Sequence, residues 1–516
     1  MLKQKEKIDK STWLTTTGQR ARYYIGDLAR TCEGAIITTF MTMFLLMQGI
    51  HPGKMAAITL FVKIIDSFDD VIFGFLIDRI KIKGSGKYLP WFRKTFWLFP
   101  LFTVLFFMMP MQLSETVKLI WFAVFYLLYD LSYTLVEVPM NSLAVSITDN
   151  LDERNAIIQN RSILNNGIIM FIGIIFYTLI SEKVGLPIKN VVVGSSVIFL
   201  CGMLPMLTGI KEYNVGLKNV SAEEEHYTFK DMFDCVRTNK YMFILLLSTV
   251  ITSCLATGAN LANFVAYYHF GNSMIFIVPI AISAVPGLIA QLNTAKITKK
   301  FGKVKTIVVC GLLGGIPLLS IFFVGSSHFV LICILMVVQS LPGNVANIAK
   351  SFLVPDTIEY TRYKTGKDCS GIFFALNSFV TKLTQGVASS LGLFLLGLSG
   401  WVEIEATDFA DIASQGVAQP ESALNMLWIV YTLIPAIGTI LGIVVMAFYK
   451  MKDKDVELMA KCNGGERSSL SRSKVRSSWK IKRSLLRRNA QLPCWAYCSL
   501  SASLSMVKRC SLPRLI

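Results

Sequence analysis

Between Lys63 and Asp78 the chain reads KIIDSFDDVIFGFLID, an apolar stretch that nonetheless carries one lysine and four aspartates. On a helix of about 3.6 residues per turn, Lys63, Asp66, Asp70 and Gly74 fall on one stripe, with Ser67 and Asp69 on its flanks. The acids and the base therefore face one neighbour or one cavity. An aspartate or lysine at the centre of a bilayer costs roughly 2.5 to 3.5 kcal/mol, so such a helix needs a buried partner or a wet chamber. Two carboxylates one turn apart repel when both are ionised, and a bound cation or a proton relieves the repulsion. The plainer alternative is a buried ion pair between Lys63 and Asp66.

Other polar side chains sit in equally apolar surroundings. In YTLVEVPMNSLAVSITDNLDERNAIIQNR, Tyr133, Thr134, Glu137 and Asn141 share one helical face, and Pro139 frees a backbone carbonyl beside them. That face either lines water or makes a hydrogen-bonded helix seam. Arg30 and Glu33, one turn apart, either pair with each other or turn one side chain toward the chamber of Asp66. Asn260 and Asn263, with Tyr267 one turn further, have the chemistry to bind sugar hydroxyls or to glue helices. Lys382, with Gln385 on the same face, needs an acid; Asp66, Asp70 and Glu137 are available.

The elements that must hold these groups are membrane helices. The chain has 516 residues, 53% of them hydrophobic and 16% charged, with a mean hydropathy of +0.54. Apolar spans centre near Ile36, Leu60, Leu101, Phe125, Gly173, Phe199, Leu247, Ala281, Leu313, Ile334, Ser390 and Val444, about twelve in all, each near the ~20 residues a bilayer requires. Lysine and arginine gather in alternate loops, which predicts cytoplasmic termini and an even number of spans. The polar first residues, MLKQKEKIDKSTW, do not read as a cleavable leader. An all-α polytopic protein is expected, with a six-helix bundle over 1–210, a cytoplasmic loop over 211–240, a second bundle over 241–452 and a basic tail over 453–516.

The net charge of +18 belongs largely to that tail, where twelve Lys or Arg follow Glu466, the single acid up to Ile516. It reads either as a disordered segment drawn to anionic lipid or as the product of a shifted reading frame. Nothing marks a nucleic-acid partner. The four histidines, His51, His226, His269 and His328, are dispersed, with no HExxH, so membrane-enzyme chemistry has no visible centre. The eleven cysteines are scattered, and Cys494 and Cys498 lack a second ligand pair for zinc. KITKKFGKVKT echoes the basic loop after the second span, and SFLVPDTIEYTRYKTGKDCSG echoes SLAVSITDNLDERNAIIQNR. These echoes predict a parallel repeat with the substrate site between its halves.

Gly74-x3-Asp78-Arg79 with the basic residues behind it resembles the loop signature of the major facilitator superfamily. Together with Asp66-x3-Asp70, Gly86-Lys87-x2-Pro90-Trp91, Tyr133-Thr134-x2-Glu137-x-Pro139, Asp149-x3-Glu153-Arg154 and Asp356-x2-Glu359-Tyr360, it resembles the glycoside-pentoside-hexuronide:cation symporters, the melibiose-permease branch of that superfamily. The resemblance implies a fold of twelve helices in two six-helix bundles, lodged in the cell membrane, the inner membrane of a bacterium. It also implies symport of a sugar with Na⁺ or H⁺, or Li⁺, and no cofactor. Asp66, Asp70 and Thr134 correspond to the family's cation site, with Asp69 as an added acid where an asparagine is usual. Glu137 takes the place of a sugar-binding aspartate and Arg161 that of a nearby arginine. Lys382 matches a lysine linking the two sites, and Lys63 stands where an arginine is usual. Asn141 replaces a sugar-stacking tryptophan, and the first-span sugar aspartate has Thr31 or Glu33 nearest. Tyr133, Asn260 and Asn263 complete the expected sugar-facing set, Lys63 and Gln385 join Lys382 in coupling, and Gly74, Asp78, Arg79, Asp149, Arg154 and Asp356 make the gating motifs. A lipid or lysolipid carrier on the same fold is the alternative; it requires an apolar chamber.

Overall fold

Residues 13–79, 88–148, 150–210, 212, 237, 239–365 and 370–463 are described by a computed structural model of the chain. Among them the secondary structure is helical, apart from an isolated antiparallel bridge between Gln48 and Glu405. In the first half run α1 (Thr17–Leu46), α2 (Pro52–Arg79), α3 (Leu89–Thr95), α4 (Leu98–Phe107), α5 (Glu115–Ser146), α6 (Leu151–Leu179) and α7 (Ile188–Gly209). The second half has α8 (Lys240–Cys254), α9 (Ala262–Phe270), α10 (Ile277–Phe301), α11 (Lys303–Val324), α12 (Phe329–Ser351), α13 (Leu353–Thr365) and α14 (Ser370–Leu398). It ends with α15 (Phe409–Gln415), α16 (Glu421–Trp428), α17 (Ile434–Ala447) and α18 (Asp453–Asn463).

Nine stretches among the described residues, the first at 115–144 and the last at 421–447, are long and apolar enough to cross a bilayer. The other three expected spans are helical too, but differ from the rest for physical reasons. α1 carries Asp27, Arg30 and Glu33 along its length, and α2 carries Lys63, Asp66, Asp69 and Asp70. The third is divided between α3 and α4 at Phe96–Trp97.

Small residues set the packing. A Cβ on Gly202 of α7 would lie 2.5 Å from the Cβ of Ala29, so α1 and α7 approach almost to backbone contact. The same device joins the two halves along α2 and α14, which run antiparallel. A Cβ on Gly386 would lie 2.5 Å from the Lys63 Cβ, and one on Gly397 2.5 Å from the Gly53 amide nitrogen. The rings of Phe68 and Phe379 meet on the same seam at 5.3 Å.

At one end of the bundle the segment between α14 and α16 lies across the first half as a strap. Ile404 accepts from the Gly49 N–H at 2.8 Å, and the Ala406 N–H donates to the Met47 carbonyl at 2.8 Å. Ile188 N–H donates to Thr407, and Phe409 N–H to Ile180, both at 3.2 Å. Lys118 of α5 adds bonds from its buried ammonium to the Gln48 carbonyl at 2.7 Å and to Glu405 at 3.1 Å. Gly49 is left-handed at φ +67°, with Glu405 against it. Nearby, Glu182 accepts from the amide and hydroxyl of Ser273.

The expected tail needs one correction. Its first residues, Asp453–Asn463, form α18, because Val456 and Met459 pack into an apolar cluster with Met242, Leu353 and Tyr449. The remainder of the tail lies outside the described residues.

Candidate functional site

Asp66 sits 4% exposed on the buried side of α2. Its Oδ2 receives the Lys63 ammonium at 2.7 Å and the Tyr126 hydroxyl at 3.2 Å, while Lys382 of α14 approaches Oδ1 at 3.2 Å. Lys63 also touches the Tyr126 hydroxyl. The ion pair between Lys63 and Asp66 is therefore present, and the second lysine makes the carboxylate a tie between the halves. Two ammonium groups occupy the space that a metal cation would share with this carboxylate. Gly74, Asp78 and Arg79 lie on α2 with Asp69 and Asp70; the side chains of the four charged residues and the surroundings of Gly74 fall outside the described residues, as does Asp149. Thr134 is buried on α5.

A second cluster forms on α1, α5 and α6, around a residue the sequence reading missed. Asp27, 1% exposed, accepts from Arg30 Nε at 3.0 Å, from Arg161 Nε at 2.6 Å and Nη2 at 2.9 Å, and from Asn165 Nδ2 at 2.7 Å. It holds two guanidinium groups whose free edges reach outward. Arg161 Nη1 donates to the exposed Asn141 at 2.7 Å. Arg30 Nη1 donates to the Tyr133 hydroxyl at 2.9 Å and lies 3.5 Å from Glu137, itself about one-third exposed. Glu137, Asn141 and Tyr133 thus come together as expected from their spacing, and Arg161, expected only from the resemblance, joins them. The signal for Asp27 was its place three residues before Arg30, the helical distance for an ion pair.

Glu33 departs from expectation. It neither pairs with Arg30 nor faces this cluster; it is fully buried against α7, accepting from Ser195 at 2.5 Å and Ser196 at 2.6 Å. The physical reason is rotation: Asp27 and Arg30 occupy the side of α1 facing α5 and α6, and Glu33 the side facing α7. Thr31 turns back to the Asp27 carbonyl at 2.8 Å.

The two clusters are joined by tyrosines at i, i+3 and i+7 of α5. Tyr126 holds Asp66, and Tyr133 holds Arg30. Tyr129 stands between them with ring centroids at 6.0 and 6.2 Å. In the second half Asn260 donates to Ser389 of α14 at 3.3 Å, Asn263 is half-buried on α9, and Gln385 is exposed one turn from Lys382.

At the end of the bundle opposite the strap, Glu153 accepts from the backbone N–H of Leu14 at 2.9 Å and Thr15 at 3.1 Å, from Thr148 at 2.6 Å and from Arg20 at 3.1 Å. Burial works to raise its proton affinity, but the hydrogen bonds from Thr148 and Thr15 outweigh it and hold the carboxyl below the usual glutamate range. Arg154 donates to the Thr148 carbonyl at 3.3 Å. In the second half, Lys303 reaches both oxygens of Asp356 at 2.7 Å.

A helical bundle with buried ionic clusters facing one another across α2, α5 and α14 has the build of a membrane transporter of the major facilitator type. The backbone matches the solved nucleoside transporter NupG with a TM-score of 0.55 at 12% identity, over 84% of this chain and 100% of that one. The chain belongs to the MFS/sugar transport protein family, whose model matches residues 22–453. It is a multi-pass membrane transporter, not an enzyme. It is 25% identical over 452 residues to the glucuronide carrier protein homolog of Escherichia coli (strain K12), covering 86% of this chain and 93% of that one. It is 22% identical over 461 residues to the isoprimeverose transporter of Lactiplantibacillus pentosus, covering 86% and 90%. It is 23% identical over 483 residues to the sodium-dependent lysophosphatidylcholine symporter 1 of Mus musculus, covering 84% and 85%.

Proposed function

We propose that the protein is a cation:sugar symporter that carries a glycoside or uronide by alternating access. In this reading twelve helices span the plasma membrane, the inner membrane in a bacterial host, with both termini cytoplasmic. The observation that carries it is Asp66, a sealed carboxylate held by one lysine from each half of the bundle. Na⁺, Li⁺ or a proton entering at Asp66, with Asp69, Asp70 and Thr134 as its expected companions, releases Lys382 and so unties α2 from α14. The sugar binds at Glu137, Asn141, Arg161 and Tyr133, where guanidinium, amide and carboxylate groups match the donors and acceptors of hydroxyls. By linkage, sugar must raise cation affinity by the factor that cation raises sugar affinity. With the basic loops on the cytoplasmic side, the strap closes the outer face.

The test is uptake into proteoliposomes across a glycoside and uronide panel, with Na⁺, Li⁺ and pH varied. Asp66→Asn is expected to abolish the ion dependence; ion dependence that survives in this variant refutes the assignment. A lysolipid cargo is the second reading. It is favoured by an apolar cavity of about 200 Å³ in the second half, lined by Leu318, Ile321, Met336, Tyr431 and Pro435 among others. Lysophosphatidylcholine entering the same liposomes, with every sugar inert, establishes that reading instead.

A further inference from the structure

Most buried acids named above are met by a cation: Asp27 by Arg30 and Arg161, Asp66 by Lys63 and Lys382, Glu153 by Arg20 and Asp356 by Lys303. Among the described residues Glu33 is met only by hydroxyls. Ser195 and Ser196 approach its two oxygens from α7, and Thr103 of α4 adds a third. Among the described residues the titratable groups turned toward it carry no positive charge: Cys32 beside it on α1 and Tyr129 on α5. α4 has no ionisable side chain, and Lys189 of α7 is exposed. Arg30, on its own helix, is committed to Asp27 and Tyr133, and α6 sends Arg161 to Asp27.

A count of hydrogens sharpens the point. Ser195 Oγ also lies 3.1 Å from the Val192 carbonyl oxygen, and Thr103 Oγ1 lies 2.8 Å from that of Phe99. Three hydroxyl hydrogens therefore face five contacts. A proton on Glu33 donates to Ser195 Oγ, and the serine hydrogen then passes to Val192, so one further contact is filled. In general, a carboxylate sealed in an apolar interior without a cation takes up a proton rather than stay charged.

We propose that Glu33 is a proton-binding site of this transporter, separate from Asp66, and that its proton fastens α1 to α7 through Ser195. The site stands directly behind the wall that presents Asp27 and Arg30, which lie within two turns of it on α1. Loss of the proton places an unpaired charge at that junction and loosens the wall.

Infrared difference spectra of the full-length protein in lipid nanodiscs, wild type minus E33Q, test the assignment at about pH 7, where an ordinary glutamate with a pKa near 4.3 is ionised. The expected result is a carboxylic-acid C=O band present in the wild type and missing from E33Q. A missing carboxylate band in its place overturns the proposal. Should E33Q not fold, S196A removes the hydroxyl at Oε1 and must shift the same acid band; an unshifted band overturns it equally. Sugar uptake at rising pH is expected to decline in the wild type and to stay level in E33Q. A decline of equal size in both removes Glu33 from the pH response.

Discussion

Asp66 and Asp27 are built from the same parts and are wired differently. Each is a nearly sealed carboxylate between two cations. The partners of Asp27, Arg30 and Arg161, lie on α1 and α6 of one half, and Asn165 completes its shell. Those of Asp66 come from α2 and from α14 of the other half. A rigid rotation of one half against the other leaves the first cluster whole and must break the second. The lesson is that burial alone does not mark a coupling residue; what marks it is a partner carried by the body that moves.

The largest effect that would break this contrast is expected at Asp27. D27A strands two buried guanidinium groups, and removing one partner of a buried pair costs about 3–5 kcal/mol, so thermal unfolding should shift markedly downward. A shift no larger than that of an exposed substitution would mean the cluster is not structural. K382Q should cost far less stability, on the order of 1–3 kcal/mol, because Asp66 keeps Lys63. Its main effect should appear as a change in the balance of conformations, read by spectroscopic distances between labels on α2 and α14. Distances identical to wild type would remove Lys382 from coupling. G49A forces a side chain into a left-handed backbone, about 1–2 kcal/mol, and into Glu405. Accessibility labelling at the strap end should then rise; unchanged labelling would show the strap to be passive.

The smallest effect concerns Glu153. Its carboxyl titrates below the ordinary range, so its contribution to stability is present above the unfolded value near 4.3 and is lost as pH falls through the lower folded one. Acid should release the segment at Leu14 and Thr15, seen as faster proteolysis there. E153Q should show that release already at neutral pH, and equal cleavage of both proteins at every pH would remove Glu153 from this role.

Much of this was legible in advance, and for definable reasons. The stripe of Lys63 and Asp66 and the face of Tyr133, Glu137 and Asn141 obey helical periodicity, so their co-location followed from spacing alone. That Lys382 must meet an acid followed from the cost of leaving it alone in an apolar interior, and the packing of α14 on α2 selects Asp66 from the three candidates. Glu33 was misplaced because a residue one turn from Arg30 has two faces available, and only the packing of α7 decides between them. Asp27 had no visible role because its partner Arg161 lies 134 positions later in the chain and meets it only in the fold. The strap had little local signal, since apart from the pair of Lys118 with Glu405 its bonds to the first half run through backbone atoms shared by every sequence.

That last property carries a consequence. The four main-chain bonds holding the strap to the first half are backed by a single described ion pair, Lys118 to Glu405. When the halves part at that end, each freed amide and carbonyl must be taken up by water, because an unsatisfied backbone group is too costly to leave bare. Opening there is accordingly a wetting event, and solutes excluded from protein surfaces, such as sucrose, will bias the carrier toward its sealed form.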